Sequence, residues 1–208
     1  MEYTENAAVG CVIMASGRAV RFGSNKLLAD FGSAPLIARA LDVTETPALA
    51  ARVVVTRSPE VAELACKAGV KTILHSLPGR NDTVRLGLEA LLSELPGLAG
   101  CIFLPGDQPL LRKESLRAMA RDFSALDEKE RAILRLGFRA EDGTERLGSP
   151  VLFGSSYFDA LCSLPEGKGG GVVIRRHPES VQAVYAARQE ELEDADTVEE
   201  LERLRKLL

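Results

Sequence analysis

Residues 12–26 run Val12-Ile13-Met14-Ala15-Ser16-Gly17-Arg18-Ala19-Val20-Arg21-Phe22-Gly23-Ser24-Asn25-Lys26. They carry the apolar run Ala8–Met14, which is long enough for a buried strand, into a loop of small residues. Small residues let backbone N–H groups approach a phosphate closely, and Arg21 and Lys26 could neutralise its charge. The loop fits neither the Walker pattern GxxxxGK followed by Ser or Thr nor the dinucleotide pattern GxGxxG. The residues alone therefore indicate either a phosphate-binding loop of another kind or an ordinary flexible loop after a strand.

The first half of the chain alternates short apolar runs with amphipathic stretches. The apolar runs predict strands over Ala8–Met14, Arg52–Thr56, Val70–Leu74 and Gly100–Leu104. The amphipathic stretches predict helices over Pro35–Val43, Pro59–Ala68, Asn81–Leu95 and Lys113–Leu126, the third of them capped by Asn81 or Asp82. Strands that alternate with helices in this way indicate βαβ units and a parallel sheet.

The second half departs from this alternation. Strands are predicted over Ala132–Phe138 and Pro150–Phe153, and Glu141-Asp142-Gly143 between them offers a turn. This arrangement predicts a small antiparallel excursion on the main sheet. The remaining segments predict a helix over Ser155–Leu164, a strand over Val181–Tyr185 and a helix over Thr197–Leu207, with Thr197 as N-cap and Glu200 three residues on. No repeat or linker is visible, so we expect one domain over residues 1–208.

Composition and charge exclude several classes of protein. Hydrophobic residues make up 46% of the chain and charged residues 27%, which is typical of a soluble folded protein. The 26 Lys and Arg against 30 Asp and Glu leave a net charge of −4, so we expect no nucleic-acid partner. No apolar run approaches the roughly 20 residues that span a membrane, and Met1–Asn6 is unlike a signal peptide. We therefore expect a cytoplasmic protein with no membrane partner.

Cysteine and histidine are too few and too scattered for common metal or nucleophile sites. None of Cys11, Cys66, Cys101 and Cys162 lies within four residues of another, so there is no zinc knuckle or CxxC motif. Cys11 and Cys101 lie in apolar runs and are expected in the core. The chain has 2 histidines, which disfavours a histidine metal cage or a Ser-His-Asp triad.

An acidic residue follows the fourth predicted strand, in the segment Phe103-Leu104-Pro105-Gly106-Asp107-Gln108-Pro109-Leu110. In open α/β sheets, ligands bind beyond the carboxyl ends of the strands. A carboxylate in that place suits a Mg²⁺ ion held against the phosphates of a nucleotide. The alternative is a simple turn, because Pro-Gly-Asp is typical turn sequence.

Two further segments combine polar residues with a helix start. The segment Gly79–Leu88 opens a helix whose N-terminus could hold a base edge or an anion, although capping alone explains its polar residues. The segment Leu192–Leu201 places Asp194 and Asp196 before a helix cap, where acids also suit the helix dipole.

The combination and order of these segments resemble a known family. Residues 12–26 resemble the Leu-Ala-Ala-Gly-x-Ser-x-Arg-Met/Phe-Gly-x-x-Lys signature of the MobA-like nucleotidyltransferases. The segment Phe103–Leu110 resembles the family's Gly-Asp-Gln/Met-Pro-Leu motif, and Leu192–Leu201 resembles its closing Asp-x-Asp-Thr-Pro-Glu-Asp-Leu pattern. The resemblance extends over residues 8–205, nearly the whole chain.

Within that superfamily the sequence is most similar to the molybdenum cofactor cytidylyltransferases. Gly79–Leu88 resembles their Ser-Leu-Arg-x-Gly-Leu stretch, and Gly148–Phe153 resembles their Gly-His-Pro-Val-Leu-Phe. Lys168–Gly171, with Arg175–Pro178 after it, resembles their Lys/Arg-Gly-Ala-Arg run and the basic segment beyond. The chain departs from the family at four places, where it has Ser16, Ala19, Ser149 and Val198. Of these, Ser149 falls in the half of the chain that is expected to face the acceptor.

The resemblance implies a three-layer α/β fold with a mostly parallel, Rossmann-like sheet. It implies the transfer of CMP from CTP to a molybdopterin-type phosphate, with release of pyrophosphate and with a molybdoenzyme as the recipient of the product. Arg21, Lys26 and Asp107 would be the catalytic residues, and Asp107 would hold Mg²⁺. By the same analogy Asp196 would be the second metal ligand, with Asp194 as a less favoured substitute.

The resemblance also assigns a nucleotide-binding set. Its members are Met14, Ala15, Ser16, Gly17, Asn81 and Thr83. Ser16 stands where the related guanylyl branch has glycine, so its side chain would leave less room for a purine, and we expect CTP to be preferred over GTP.

Three alternatives stay open. A guanylyltransferase of the same pathway, or a sugar- or alcohol-phosphate nucleotidyltransferase, would use the same scaffold. A non-catalytic cofactor-binding chaperone is the third, but a pure binder has no need of Arg21, Lys26 and Asp107 together.

Overall fold

The first apolar run forms a buried strand of a seven-stranded sheet in the computed structural model, which describes residues 7–17 and 25–208. The strands are β1 Val9–Ala15, β2 Ala51–Thr56, β3 Lys71–Leu74, β4 Gly100–Pro105, β5 Ile133–Arg139, β6 Glu145–Gly154 and β7 Val181–Tyr185. Their order across the sheet is β3-β2-β1-β4-β6-β5-β7. β6 runs antiparallel to both of its neighbours, whereas the other neighbouring strands are parallel. The expected parallel sheet with an antiparallel excursion is therefore confirmed.

Seven α-helices connect and cover these strands in the part of the chain that the structure describes. They are α1 Ile37–Val43, α2 Pro59–Lys67, α3 Arg80–Glu94, α4 Lys113–Ser124, α5 Phe158–Cys162, α6 Gly171–Arg176 and α7 Val198–Arg205. None of the helices formed by the described residues combines the length and the apolar content needed to cross a membrane.

The sequence placed most of these elements within one or two residues, with four differences. Strand β6, expected over Pro150–Phe153, begins five residues earlier, at Glu145. The helix expected over Ser155–Leu164 is a short α5 preceded by a 3-10 turn. Helix α6 was not expected, because its three preceding glycines are typical of a loop. The cap of α3 was placed on the wrong residue: Gly79 is the N-cap, and Asp82 at the third helical position accepts a hydrogen bond from the Gly79 N–H at 3.0 Å.

The helices pack on both faces of the sheet and form two separate cores. Successive side chains of a strand point to opposite faces, so Cys11 and Ile13 of β1 lie in one core and Val12 lies in the other. The first core buries α1, α2, α4 and α7, and the second buries α3, α5 and α6. The three-layer arrangement is thus confirmed, and Cys11 and Cys101 are both fully buried, as expected.

One glycine decides how closely α3 approaches the sheet. A Cβ on Gly87 would lie 2.4 Å from Val12 Cγ1 and 3.0 Å from Val55 Cγ2, so only glycine allows this contact. The close approach fixes the height of α3 above β1 and β2. It therefore also fixes the N-terminus of α3 beside the carboxyl ends of those strands.

Candidate active site

A cleft of about 570 Å³ opens beyond the carboxyl ends of β1, β2 and β4. Parallel strands bring the residues that follow them to one edge of the sheet, which is why segments far apart in sequence meet here. The described residues that line the cleft are Met14, Ser16, Gly17, Arg57, Pro78, Gly79, Arg80, Thr83, Pro105, Asp107, Ser149, Gly167, Asp194 and Asp196.

Lys26 forms the charged centre of this edge. Its Nζ lies 2.5 Å from Asp107 Oδ2 and 2.7 Å from Asp196 Oδ1, although Asp196 is 170 residues away in the sequence. Lys26 begins a 3-10 turn in which the next side chain, Leu27, is buried, and only 9% of Lys26 itself is exposed. Burial by itself lowers the pKa of the Lys26 ammonium, but the charge of Asp107 and then the contacts with Asp196 outweigh it and leave the pKa raised. Lys26 is therefore a buried, charged ammonium group.

Backbone hydrogen bonds fix the loop that carries Asp107. The Gly106 N–H donates to the Met14 carbonyl at 3.0 Å, which ties this loop to the end of β1. The Ala195 N–H donates to the Asp107 carbonyl at 2.9 Å, which ties it to the segment between Asp194 and Asp196. The three aspartates therefore come to the cleft through two loops that hold each other in place.

Asp194 lies beside the other two carboxylates. Desolvation by the protein atoms packed around its carboxyl group, and then the charges of Asp107 and Asp196, raise its pKa to about 6. The residue as a whole is exposed, so this effect is confined to the carboxyl end that faces the cleft. Among residues 7–17 and 25–208, no three His, Cys, Asp or Glu side chains converge closely enough to form a complete metal cage.

The loop after β1 is held by long-range contacts. The Ser16 hydroxyl donates to the Val55 carbonyl at 3.0 Å, so the His75 Nε2–H donates to Ser16 Oγ at 2.9 Å. Arg57 donates to the Ser16 carbonyl. Burial and then the charge of Arg57 lower the pKa of His75, against a smaller opposing effect of Asp82. Ser16 therefore lines the cleft with a hydroxyl that already has partners.

The structure brings some of the expected nucleotide-binding residues to the cleft and not others. Met14, Ser16, Gly17 and Thr83 line it, and Thr83 is almost completely buried. The Ala15 carbonyl instead accepts a hydrogen bond from Thr56 Oγ1 at 3.0 Å. Asn81 is outside the lining, because its Oδ1 accepts a hydrogen bond from the Gly167 N–H at 2.8 Å. Asn81 thus joins α3 to a loop, and its expected contact with a base stays a prediction.

One expected catalytic residue cannot be placed. Arg21 lies outside the described residues, so its role stays a prediction. Sequence reasoning also missed Arg57 and Arg80, which both line the cleft. A usable signal was present for Arg57, since it directly follows the carboxyl end of β2.

A second cavity, of about 410 Å³, adjoins the cleft. The two share Met14, Arg80, Ser149 and Gly167 in their linings. The second cavity combines apolar side chains with four cations, Arg80, Arg135, Lys168 and Arg175, and no Asp or Glu appears among the described residues that line it. The site as a whole is therefore a cleft lined by three aspartates, two of them paired with Lys26, that opens into a basic, partly apolar chamber.

Comparison with solved structures gives proteins of the same fold over their whole length. Rv0371c from Mycobacterium tuberculosis H37Rv is 24% identical, with 96% of this chain and 98% of that chain covered and a TM-score of 0.74. A second structure of that protein, in complex with manganese, has a TM-score of 0.69 at 20% identity over 97% of this chain and 100% of that one. A nucleotidyl transferase from Methanothermobacter thermautotroptrophicus, Mth528, is 20% identical over 96% and 97%, with a TM-score of 0.78.

A further structure holds a nucleotide. It is the CMP:2-keto-3-deoxy-manno-octonic acid synthetase in complex with CTP, which is 15% identical over 97% of this chain and 98% of that chain, with a TM-score of 0.77. The family model of the MobA-like NTP transferase domain matches residues 11–181, well over half of the sequence. This match covers the loop after β1, Lys26, Asp107 and the basic chamber, so the chain belongs to the family of MobA-like NTP transferase domains and is a nucleotidyltransferase.

Proposed function

We propose that this protein transfers CMP from CTP to the phosphate of a molybdopterin-type cofactor and releases pyrophosphate. The observation that carries the proposal is the contact of Lys26 with Asp107 and Asp196 at the edge of a cleft that opens into a basic chamber. A cleft with paired charges suits a triphosphate and its metal ion, and a chamber lined by cations suits an anionic acceptor. The motifs at Gly79–Leu88 and Gly148–Phe153, which resemble the cytidylyl branch, line both spaces.

The donor set fits a divalent metal ion, which we propose to be Mg²⁺. Carboxylate oxygens are the ligands that Mg²⁺ prefers, and it is usually held by one or two carboxylates together with substrate phosphates. Asp107 and Asp196 supply such a pair, with Asp194 beside them. A fold relative has been solved with manganese, which accepts the same oxygen ligands. When bound, the ion would neutralise negative charge on the triphosphate.

The reaction needs positioning and charge neutralisation more than proton transfer. The acceptor phosphate is a monoester, with a second pKa of about 6, so it is largely ionised at neutral pH and needs no general base. Its oxygen forms the new bond to the α-phosphorus while the bond from that phosphorus to the pyrophosphate oxygen breaks. Lys26, with Arg21 in the same loop, would orient the triphosphate and offset the charge that grows on the leaving pyrophosphate.

The base would lie against the loop after β1. Met14, Ser16 and Gly17 line that part of the cleft, and Thr83 of α3 faces it. The hydrogen bonds of Ser16 to Val55 and His75 hold its side chain at the cleft wall, where it would disfavour the larger purine. Preference for CTP over GTP is therefore part of the proposal.

The four cysteines are free thiols in the structure. This is the state expected in a reducing compartment, and we accordingly place the reaction in the cytoplasm.

The direct test is pyrophosphate release from each nucleoside triphosphate, with Mg²⁺, in the presence and absence of molybdopterin. We expect acceptor-dependent release and a kcat/KM for CTP that exceeds that for GTP by about 10-fold or more, the scale on which steric fit discriminates. Ser16→Gly should narrow that ratio. Ser16→Ala is the matched control, because it removes the hydroxyl contacts but keeps the Cβ.

The outcomes separate the alternatives. Equal or better use of GTP with molybdopterin would contradict the cytidylyl assignment and favour the guanylyl branch. If pyrophosphate is released with a sugar phosphate or an alcohol phosphate but not with molybdopterin, the acceptor belongs to another chemical class. Binding of nucleotide without release for any acceptor would favour the chaperone.

A further inference from the structure

The floor of the basic chamber is a row of side chains that crosses three strands. Phe103 of β4 is in register with Val151 of β6, and Val151 is in register with Arg135 of β5. Residues in register on adjacent strands point to the same face of a sheet. The row therefore begins with an aromatic ring, continues with an aliphatic side chain and ends on a guanidinium. Neighbouring strands lie about 4.8 Å apart, so Arg135 lies roughly 10 Å across the sheet from Phe103.

Arg135 pairs with no countercharge among residues 7–17 and 25–208. Its Nη2 donates to the Leu147 carbonyl at 3.1 Å, and its Nε and Nη2 reach the Gly148 carbonyl at 3.4 and 3.3 Å. Within the described part of the chain no carboxylate pairs with it, and no acceptor is found for its Nη1. The side chain is half-buried, and burial lowers its pKa, yet a guanidinium keeps its proton.

A half-buried guanidinium without a carboxylate partner costs free energy unless a bound anion neutralises it. Half-buried charge loses part of its hydration, and two backbone carbonyls compensate for it only partly. The carbonyl contacts use Nε and Nη2 and leave the Nη1 donors for a ligand in the chamber that Arg135 lines. A group with two or more lone pairs on oxygen would satisfy them.

Aromatic rings in close contact form part of the chamber wall. The rings of Phe103 and Phe153 pack edge to face, with centroids 5.9 Å apart. Gly170 packs so closely on Phe153 that a Cβ there would lie 2.9 Å from its ring. Arg80 stands where the chamber meets the nucleotide cleft. The chamber thus has Arg80 at its junction with the cleft, apolar side chains in its floor and Arg135 across the sheet, with Lys168 and Arg175 also in its lining.

We propose that the acceptor is a two-ended molecule, with its reacting phosphate beside Arg80 and a second anionic or carbonyl oxygen group bound by Arg135, joined by a flat apolar body that lies on Phe103 and Val151. The inference rests on the proposed transfer to a phosphate acceptor, but it does not depend on that acceptor being molybdopterin. It makes Arg135 a residue that determines acceptor specificity. Small phosphates without the second group would bind weakly.

The test uses two naphthalene probes whose fluorescence reports binding, since the protein contains no Trp. One is 2-naphthyl phosphate and the other is 6-phosphonooxy-2-naphthoate, which adds a carboxylate at the opposite end of the ring. The wild-type protein should bind the two-ended probe at least about 10-fold more tightly, as expected for a charge-assisted hydrogen bond from Nη1 of Arg135. Arg135→Met should abolish the difference and leave the Kd of 2-naphthyl phosphate unchanged within about 2-fold.

Two variants control for charge and for folding. Arg146→Met removes an exposed arginine from β6, outside the chamber, and should retain the full discrimination between probes. Arg135→Lys keeps the charge but not the guanidinium whose direction the two carbonyls fix, so it should retain part of the discrimination even if Arg135→Met proves unstable. The thermal midpoint of each variant shows whether it is folded.

The results separate this inference from the proposed function. The proposal of a two-ended acceptor would be overturned if the wild-type protein bound the two probes with equal Kd. It would also be overturned if a folded Arg135 variant lost affinity for both probes to the same extent. Either result together with CMP transfer to molybdopterin would leave the proposed function standing. Discrimination between the probes without transfer from CTP to molybdopterin would overturn the proposed function and leave the two-ended acceptor in place.

Discussion

Burial of the Lys26 ammonium group costs free energy, and its contacts with two carboxylates compensate for that cost. Removing an ammonium group from water costs several kcal/mol, and nearby carboxylates offset that cost only when the contact geometry is good. Contacts of 2.5 Å with Asp107 and 2.7 Å with Asp196 provide such geometry. A buried ion pair contributes little net stability, so its presence at a cleft points to chemistry. In the proposed function, the same ammonium would exchange a carboxylate for a phosphate oxygen of the triphosphate.

Replacement of Lys26 tests this role. Lys26→Met should lower kcat by about 10²-fold, because charge on the leaving pyrophosphate grows in the transition state, and it should also weaken binding of the triphosphate. Lys26→Arg should recover part of kcat. Steady-state kinetics with both substrates varied provides the measurement, and Lys67→Met, which removes an exposed lysine paired with Glu63, is the control. A change confined to the KM of the acceptor would place Lys26 on the other substrate.

Individual residues also show where sequence reasoning reached its limit. Lys26, Asp107 and Asp196 were selected from separate segments, and the structure brings all three together. Asn81 was selected as a base contact, yet its amide oxygen is used by Gly167, which is 86 residues away. A hydrogen bond between residues this far apart in the sequence leaves no local sequence pattern. The sequence therefore does not distinguish a polar side chain that binds a ligand at a helix start from one that binds a loop.

Helices and strands were predictable from the sequence where the hydrophobic periodicity and the capping residues indicated the same element. Helix α7 is an example, because Thr197 caps it and Glu200 completes the capping box, as the sequence indicated. Helix α6 was missed because it has only six residues and follows a glycine run. Its last turn carries two arginines, Arg175 and Arg176, which suit a helix C-terminus, but that signal is weak in so short a segment.

Helix α3 gives a prediction at the scale of an element. Gly87→Ala should destabilise the protein by about 1–2 kcal/mol, because the clash of a new Cβ with Val12 outweighs the better helix propensity of alanine. The shift of α3 should also raise the KM for the nucleotide, since Thr83 lies one turn away and lines the cleft. Urea unfolding measures the first effect and initial rates the second.

The control for this prediction is Gly97→Ala. A Cβ at Gly97 meets no other atom within 4 Å, and its backbone does not require a positive φ. This variant should be neutral or slightly more stable. An increase in stability for Gly87→Ala would show that α3 has room to move away from the sheet and that the glycine does not set its position.

The whole molecule explains why the site needs the complete fold. Lys26 comes from near the start of the chain and Asp196 from near its end, while Asp107 comes from the middle. Two cores, one on each face of the sheet, hold these segments in place. The alternation of apolar runs with amphipathic stretches predicted this layered sheet, because strands that are buried on both faces are continuously apolar and the helices that cover them are apolar on one side only. The strand order carried no equally direct signal, since the pairing of strands depends on contacts between distant segments. That residues 1–208 form one domain stays a prediction.

Because an unfolded chain cannot assemble Lys26, Asp107 and Asp196 at one point, Mg²⁺ with CTP should bind the native state and raise its thermal midpoint. At a ligand concentration of about 100 times Kd, linkage gives about 2.7 kcal/mol, which corresponds to a rise of about 5–10 °C for a protein of this size. Asp107→Asn and Asp196→Asn should each lose most of that rise. Asp122→Asn, which removes an exposed acid of α4, should retain it. The measurement is a thermal melt with and without Mg²⁺ and CTP, and an undiminished rise in both cleft variants would show that the nucleotide and its metal bind elsewhere.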